Sequence, residues 1–349
     1  MAGKHGGRDK GSRGAGHGRP GGASPGGGGR RGADWRGRDG APAAGERSRP
    51  PRPHSLHRYG QNHLVDGNIL RAIVEQAAVS PDDVVLEVGA ADGQLTRPLL
   101  DRARLVHAFE IDHRYTARLE RLAEERANLR VHPGDALKQD LAGLDPAPTA
   151  LVANLAYNIA IPLIMTSIAG LPRLSRWAVM VQKELGDRLF ALPSTKAYSA
   201  VSVLVQLACR REQVRAVPPS AFRPQPRVES SFITFVRRVP AVDGAAAAGE
   251  APPLDSARYA AMGALVRLAF GQRRKVLTNS LSGAARAGVT LSRDDILRAL
   301  GELGLAPAAR PEELTPAHWV AFARALDWLR DPEPGAPAPP ETEAMEGTT

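Results

Sequence analysis

One cysteine in 349 residues, Cys209, excludes an intramolecular disulfide. Thiols this sparse suit a reducing compartment, so a cytoplasmic protein is expected, with Cys209 buried in the apolar run 201–209. Long apolar runs are scarce as well. The uncharged stretch 149–171 has bilayer length, but Asn154, Tyr157, Asn158 and Pro162 interrupt it. A membrane-spanning helix needs about 20 almost uniformly apolar residues. The stretch therefore reads as a buried strand, a loop and the start of a helix, and no membrane attachment is expected. Residues 1–53 lack the apolar segment of a secretory leader, so none is expected. No internal repeat is present, which argues against a solenoid or propeller.

What is present is ordinary for a folded chain. Hydrophobic residues at 43% and charged residues at 24% suffice for a sizeable core, and the length suits two domains. The net charge of +9 is uneven: residues 1–53 hold 12 Lys/Arg against 4 Asp/Glu, and residues 331–349 hold 5 acids and no Lys/Arg. The body, 54–330, keeps a net +6, which suits a polyanionic partner. The Gly/Arg-rich segment 1–53 carries too few large apolar side chains to offset its chain entropy and is expected to be disordered. It reads either as a loose tether for RNA phosphates or as a solubilising tail. The acidic, Pro-rich segment 331–349 is expected to be disordered too.

From His57 onward, strand-like and helical patterns alternate. Strands are expected at 84–88, 105–111, 129–132, 150–153 and 177–182, and helices at 66–78, 95–102 and 115–127. That alternation predicts an α/β fold over 54–240, with a mostly parallel sheet covered by helices on both faces. Residues 241–254 read as a linker. The remainder, 255–330, reads as a small all-α domain with helices at 255–270, 273–282, 293–303 and 316–330. Ser292 with Asp295 resembles a capping box, and Thr315 before Pro316 reads as an N-cap followed by proline in the first turn.

The first strand runs into E-V-G-A-A-D-G (87–93). Ligands of open α/β sheets bind beyond the carboxyl ends of the strands, where Gly89 and Gly93 tolerate dihedrals that a side chain forbids. The second strand ends in F-E-I-D, which puts Glu110 about 20 residues on, the place of an acid that holds ribose hydroxyls. A third strand leads into G-D-A and offers Asp135 at the same edge. Taken singly, these acids read more readily as solvated strand-end carboxylates; with Gly89 on successive strand ends they read as a cofactor site. Turns that face pyrophosphate usually follow G-x-G-x-x-G, whereas here position 91 is Ala and Asp92 is acidic. S-adenosylmethionine carries no phosphate and bears a sulfonium cation, so it fits this turn better than NAD does.

The fourth strand ends in N-L-A-Y-N (154–158). An exocyclic amine on a purine is a poor nucleophile because its lone pair is delocalised. Hydrogen-bond acceptors at the Asn154 side chain and the Leu155 backbone carbonyl help it, and Tyr157 offers a face for stacking, worth roughly 1–3 kcal/mol. The base must be unpaired or flipped to reach such a pocket.

Further motifs complete an ordered set across about 57–330: Y-G-Q-N-H-L (59–64), Q-K-E-L-G-D-R-L (182–189), F-R-P-Q-P-R-V-E-S (222–230) and F-G-Q-R-R-K-V-L-T-N-S-L (270–281). Together with the stretches above, they resemble the ribosomal RNA adenine N6-dimethyltransferase family, and within it the small-subunit (16S) enzymes. The resemblance implies a Rossmann-like, S-adenosylmethionine-dependent methyltransferase domain. It also implies dimethylation of adenine N6 in 16S rRNA during maturation of the small ribosomal subunit, by a monomer that needs no metal. It places Asn62 and Leu64 against the cofactor, Gly89 at its methionine end, Glu110 on its ribose and Asp135 on its adenine. Asn154 falls where cofactor and target meet, Phe222 is a second aromatic wall, and Arg273, Arg274 and Lys275 grip rRNA phosphates. Three positions depart from the family pattern. His63 replaces a Phe, Ala91 a Gly, and Ala156 the Pro of N-[LI]-P-Y; the last loosens the loop that aims Asn154 and Tyr157. Two other readings stay open: a 23S rRNA dimethyltransferase of the macrolide-resistance type, and a non-catalytic assembly factor on the same fold.

Overall fold

A computed structural model describes residues 62–238 and 254–330. The expected disordered tails (1–53 and 331–349), Tyr59–Gln61 of the first motif and the linker up to residue 253 lie outside the described residues.

The α/β part begins with β1 (His63–Leu64), α1 (Gly67–Ala77), β2 (Val84–Val88), α2 (Thr96–Leu100), β3 (Leu105–Glu110), α3 (His113–Glu125) and β4 (Leu129–Pro133). It continues through β5 (Ala150–Asn154), α4 (Tyr157–Gly170), β6 (Arg176–Gln182), α5 (Lys183–Leu189), α6 (Ala200–Ala208), β7 (Cys209–Val217), β8 (Phe222–Arg223) and β9 (Ser230–Arg237). Seven strands form one sheet in the order β4-β3-β2-β5-β6-β9-β7. The first five are parallel, while β9 pairs antiparallel with both β6 and β7. A mostly parallel sheet is buried on both faces, so its central strands read as largely apolar runs. Along β5 and β6 the side chains sort by a period of two: Leu151, Ala153, Trp177 and Val179 join one buried cluster, Val152, Ala178 and Met180 the other. The stretch 149–171 resolves into β5, a two-residue connection and α4, as its interruptions suggested. No described helix is long and apolar enough to cross a membrane.

After residue 253 come α7 (Ser256–Gly271), α8 (Leu277–Leu281), β10 (Ala285–Arg286), β11 (Val289–Thr290), α9 (Arg293–Glu302) and α10 (Pro316–Ala325). One apolar cluster runs from β6 and α4 through α6 into α7, α9 and α10, with Trp177, Trp319 and Trp328 in it. The Ser292–Asp295 capping box and the Thr315 cap are formed.

Three expectations for this region are corrected. It is not wholly helical, because β10 and β11 form a hairpin whose turn residues Ala287 and Gly288 both have positive φ, as a two-residue turn matched to strand twist requires. Residues 273–275 are not helical: they form the turn between α7 and α8, with Arg273 drawn aside to Glu312. The last helix stops at Ala325, and Asp327 takes φ 58° immediately afterwards.

The sequence reading also passed over Arg237. Its guanidinium donates to the carbonyls of Ile168, Leu171 and Leu174 at 2.8–3.1 Å and lies 5.2 Å from the Trp177 ring centre. It thereby satisfies carbonyls at the carboxyl end of α4, the helix whose first residue is Tyr157. Arg237→Ala leaves the Ile168 and Leu174 carbonyls without this donor, while Leu171 keeps the Leu174 N–H. It is expected to cost about 2 kcal/mol or more of unfolding free energy, read as a lower urea midpoint, with Arg237→Lys falling between the two.

Candidate active site

The chain direction diverges between β2 and β5. From β2 the crossovers lead outward to β3 and β4, and from β5 to β6. Such a switch point leaves a crevice beyond the carboxyl ends of the strands, and a cavity of about 580 Å³ opens there. Asn62, Leu64, Gly89, Glu110, Asp135, Asn154, Leu155, Tyr157 and Phe222 all line it. The nine cavity residues singled out from sequence thus share one wall-to-wall space. Arg273, Arg274 and Lys275 are not among its lining residues.

Gly89 and Ala90 both donate to the Phe109 carbonyl, at 2.9 and 3.2 Å, which folds the turn after β2 against the end of β3. Gly89 takes φ 79° and Ala91 φ 49°; a side chain in this left-handed region costs roughly 1–2 kcal/mol. Ala91 therefore adopts the conformation that the usual glycine favours. Its N–H donates to Glu110 Oε2 at 2.7 Å, while the Asp112 N–H donates to Glu110 Oε1 at 2.8 Å. A carboxylate has about four acceptor positions, so Glu110 is fixed in place and still able to accept. Burial raises its pKa, and the two N–H groups oppose that shift. Asp135 caps the short 3-10 turn after β4, with Oδ1 accepting from the Leu137 N–H at 3.0 Å.

On the other side of the crevice, Asn154 Nδ2 donates to the Asn62 backbone carbonyl at 3.1 Å. Only the amide nitrogen can face a carbonyl, so the side-chain oxygen remains as the acceptor. Tyr157, at the start of α4, is 58% exposed, while Phe222 is buried in β8, opposite Leu64 of β1. Ala156 has φ −65°, the value proline imposes. Its backbone holds the proline dihedral without the ring.

Sequence reasoning assigned no role to Glu87, the acid within the apolar strand V-V-L-E-V. It lines the cavity, is 1% exposed, and its Oε2 has no hydrogen-bond partner among the described residues. Burial pushes its pKa up to about 8. An acid inside an otherwise apolar strand just before a glycine turn was the available signal. Ile111, 45% exposed beside Glu110, also lines the cavity.

The charge of the lining decides what fits. Glu87, Asp92, Glu110 and Asp135 line the cavity, and no Lys or Arg does so among the described residues. Four acids without a cation disfavour a phosphate-bearing ligand and suit a cationic one, and the orphaned Glu87 oxygen suits an ammonium group. S-adenosylmethionine carries both an ammonium and a sulfonium. The fold and this cavity define an S-adenosylmethionine-dependent methyltransferase. A family model described as ribosomal RNA adenine dimethylase matches residues 54–297, and the chain belongs to that family.

Curated relatives match over most of this chain and of their own length. The chain is 41% identical over 278 residues to the ribosomal RNA small subunit methyltransferase A of Rubrobacter xylanophilus, covering 80% of this chain and 97% of that protein. It is 38% identical to the enzyme of that name from Streptomyces griseus, covering 76% and 87%. Among solved structures, it is similar to a dimethyladenosine transferase from Plasmodium falciparum, at 25% identity and a TM-score of 0.62 over 76% of this chain and 98% of that one. It is also similar to the 23S rRNA methyltransferase ErmE, at 26% identity and a TM-score of 0.57 over 76% and 100%.

Glu87 yields a linkage prediction. Its folded pKa lies above the ordinary carboxyl value of 4.5, so its charge destabilises the free protein increasingly as pH rises from 4.5 to about 8. A bound ammonium favours the ionised form. Cofactor binding at pH 6.5 should therefore release close to one proton, seen calorimetrically as a dependence on buffer ionisation enthalpy. Glu87→Gln should abolish that release; binding without proton release in the unaltered protein would contradict the assignment.

Proposed function

We propose that the chain transfers methyl groups from S-adenosylmethionine to the exocyclic N6 of adenines in 16S rRNA, giving N6,N6-dimethyladenine during maturation of the small subunit. The observation that carries this reading is the Asn154 amide. Its nitrogen is engaged by the Asn62 carbonyl, which leaves its oxygen to accept an amino hydrogen from the target base. Accepting that hydrogen bond returns electron density to the amine, and the Leu155 backbone carbonyl is read as a second acceptor. Tyr157 and Phe222 are read as the aromatic surfaces that hold the base.

Asn62, Leu64, Gly89, Glu110 and Asp135 would hold the cofactor, with Glu87 on its ammonium. Bound there, it supplies a methyl group on sulfonium; the thioether is the leaving group and, being neutral, needs no acid, while the methylated amine sheds one proton to solvent. Orientation is the main contribution of the protein residues. After one transfer the amine still carries one hydrogen, so Asn154 can aim it again for the second. The dihedrals at Ala91 and Ala156 support an enzyme over an assembly factor that has lost its chemistry, since both backbones match what the usual Gly and Pro would adopt.

The rRNA contact is read as lying on the helical segment 255–330, which the sequence suggested as a separate domain. Arg274 and Lys275 are exposed in the α7–α8 turn and are the cations best placed to meet phosphates. Arg273 differs from them: its Nε lies 2.5 Å from Glu312 Oε2, and its Nη atoms donate to the carbonyls of Thr195 and Lys196. It clips the loop after α5 to this turn. A monomer acting in the cytoplasm completes the reading.

The test is methyl transfer to immature small subunits, with dimethyladenine mapped by mass spectrometry. Asn154→Ala should lower the rate by roughly 100-fold or more, the range found when a positioned donor or acceptor of the transition state is removed. Full activity in that variant would refute its role, and label confined to 23S rRNA would favour the resistance-type reading.

A further inference from the structure

We propose that His63 is a positioning residue for cofactor binding, which acts by tying the segment 62–66, at one edge of the cavity, to Tyr115 on α3. This inference rests on the cofactor reading of the cavity given above.

The segment 62–66 forms one edge of the cavity through Asn62, His63 and Leu64. Most of its attachments lie on the methyl-acceptor side. Asn154 donates to the Asn62 carbonyl, β1 pairs with β8, and the Val65 and Asp66 N–H groups both donate to the Ala221 carbonyl, at 2.8 and 3.3 Å. Asp66 then caps α1 through the N–H groups of Asn68 and Ile69. None of these contacts reaches the wall that carries Glu110.

The His63 ring makes that reach. Its Nε2 lies 3.1 Å from the Tyr115 hydroxyl, and the two ring centres are 5.5 Å apart at an interplanar angle of 59°. Tyr115 sits on α3, directly after the Glu110–Asp112 loop, and the guanidiniums of Arg114 and Arg118 flank its ring at 5.9 and 5.8 Å. The imidazole thus starts on a segment fastened to the acceptor wall and ends on the helix that follows the ribose-binding acid. Both rings are half-buried, so the hydrogen bond is partly shielded from competing water. A phenylalanine, the residue the family resemblance puts at position 63, can pack there but cannot make this bond. In this chain a polar tie replaces packing alone, and it fixes where Asn62 and Leu64 stand relative to Glu110.

The same segment also contacts Asn154 through the Asn62 carbonyl. The placement of the cofactor edge and the aim of the acceptor amide therefore share one strip of backbone. Loosening the tie should weaken cofactor binding more than it slows transfer, because the bound cofactor itself holds the segment during turnover.

The test uses the full-length protein, with S-adenosylmethionine and S-adenosylhomocysteine titrated by calorimetry. His63→Phe should raise both dissociation constants three- to tenfold, with kcat changed less than twofold. Tyr115→Phe, which removes only one oxygen, should do the same. The double variant should be no worse than either single one, because one shared bond is being removed. Hydrogen exchange of the amides of residues 62–66 in the ligand-free protein should rise in both variants, with the unfolding midpoint nearly unchanged. Unaltered affinity in Tyr115→Phe, or effects that multiply in the double variant, would overturn the inference while leaving the cofactor site intact. Failure of the unaltered protein to bind either ligand would overturn the site reading and this inference with it.

Discussion

The pairing of β2 with β5 is the constraint on which the cavity depends. Val85 faces Ala150 and Leu86 faces Leu151 in parallel register, although about 60 residues of chain separate the two strands. The crossovers leave this seam in opposite directions, so no connection covers the carboxyl ends of the two strands. The turn after β2 and the loop after β5 are thereby held face to face. A Cβ added at Gly89 would lie 3.7 Å from the Asn154 carbonyl oxygen. A cofactor group at one and a purine at the other, as proposed, would be neighbours because of the sheet.

Electrostatics divide the labour. The body of the chain is basic, as suits an enzyme for a polyanion, yet among the described residues the cavity is lined by four acids and no Lys or Arg. RNA phosphates are attracted to the protein and rejected from the pocket, whereas a sulfonium and an ammonium are drawn in. The buried Glu87 sharpens the contrast: burial makes it resist ionisation, and a cation placed beside it would favour its charged form.

Much of this was legible in the sequence because parallel strands are buried on both faces. The apolar runs expected at 84–88, 105–111 and 150–153 match strands to within a residue, and the motif residues at their ends follow. What stayed hidden depends on partners distant in sequence or on one residue in an unusual setting. Strand β7, C-R-R-E-Q-V-R-A-V, is exposed from Arg210 to Ala216. Charge on an edge strand guards against edge-to-edge association, and it masks the strand pattern. Arg273 looked like one of three equivalent cations, but Glu312, 39 residues away, sets it apart. The loss of Pro at position 156 predicted a looser loop. What the sequence does not reveal is that the backbone there keeps the proline φ, between the Leu155 N–H bond to Met180 and the first turn of α4. His63 read as a simple departure, since nothing in its neighbourhood names Tyr115 as its partner.

The most direct test of the account is a crystal structure of the protein soaked with S-adenosylhomocysteine and adenosine. The account predicts the thioether sulfur between Gly89 and Asn154, the cofactor ribose on Glu110, and the adenosine amino group against the Asn154 side-chain oxygen. Density for either ligand outside this cavity, or an adenosine amine directed away from Asn154, would contradict it.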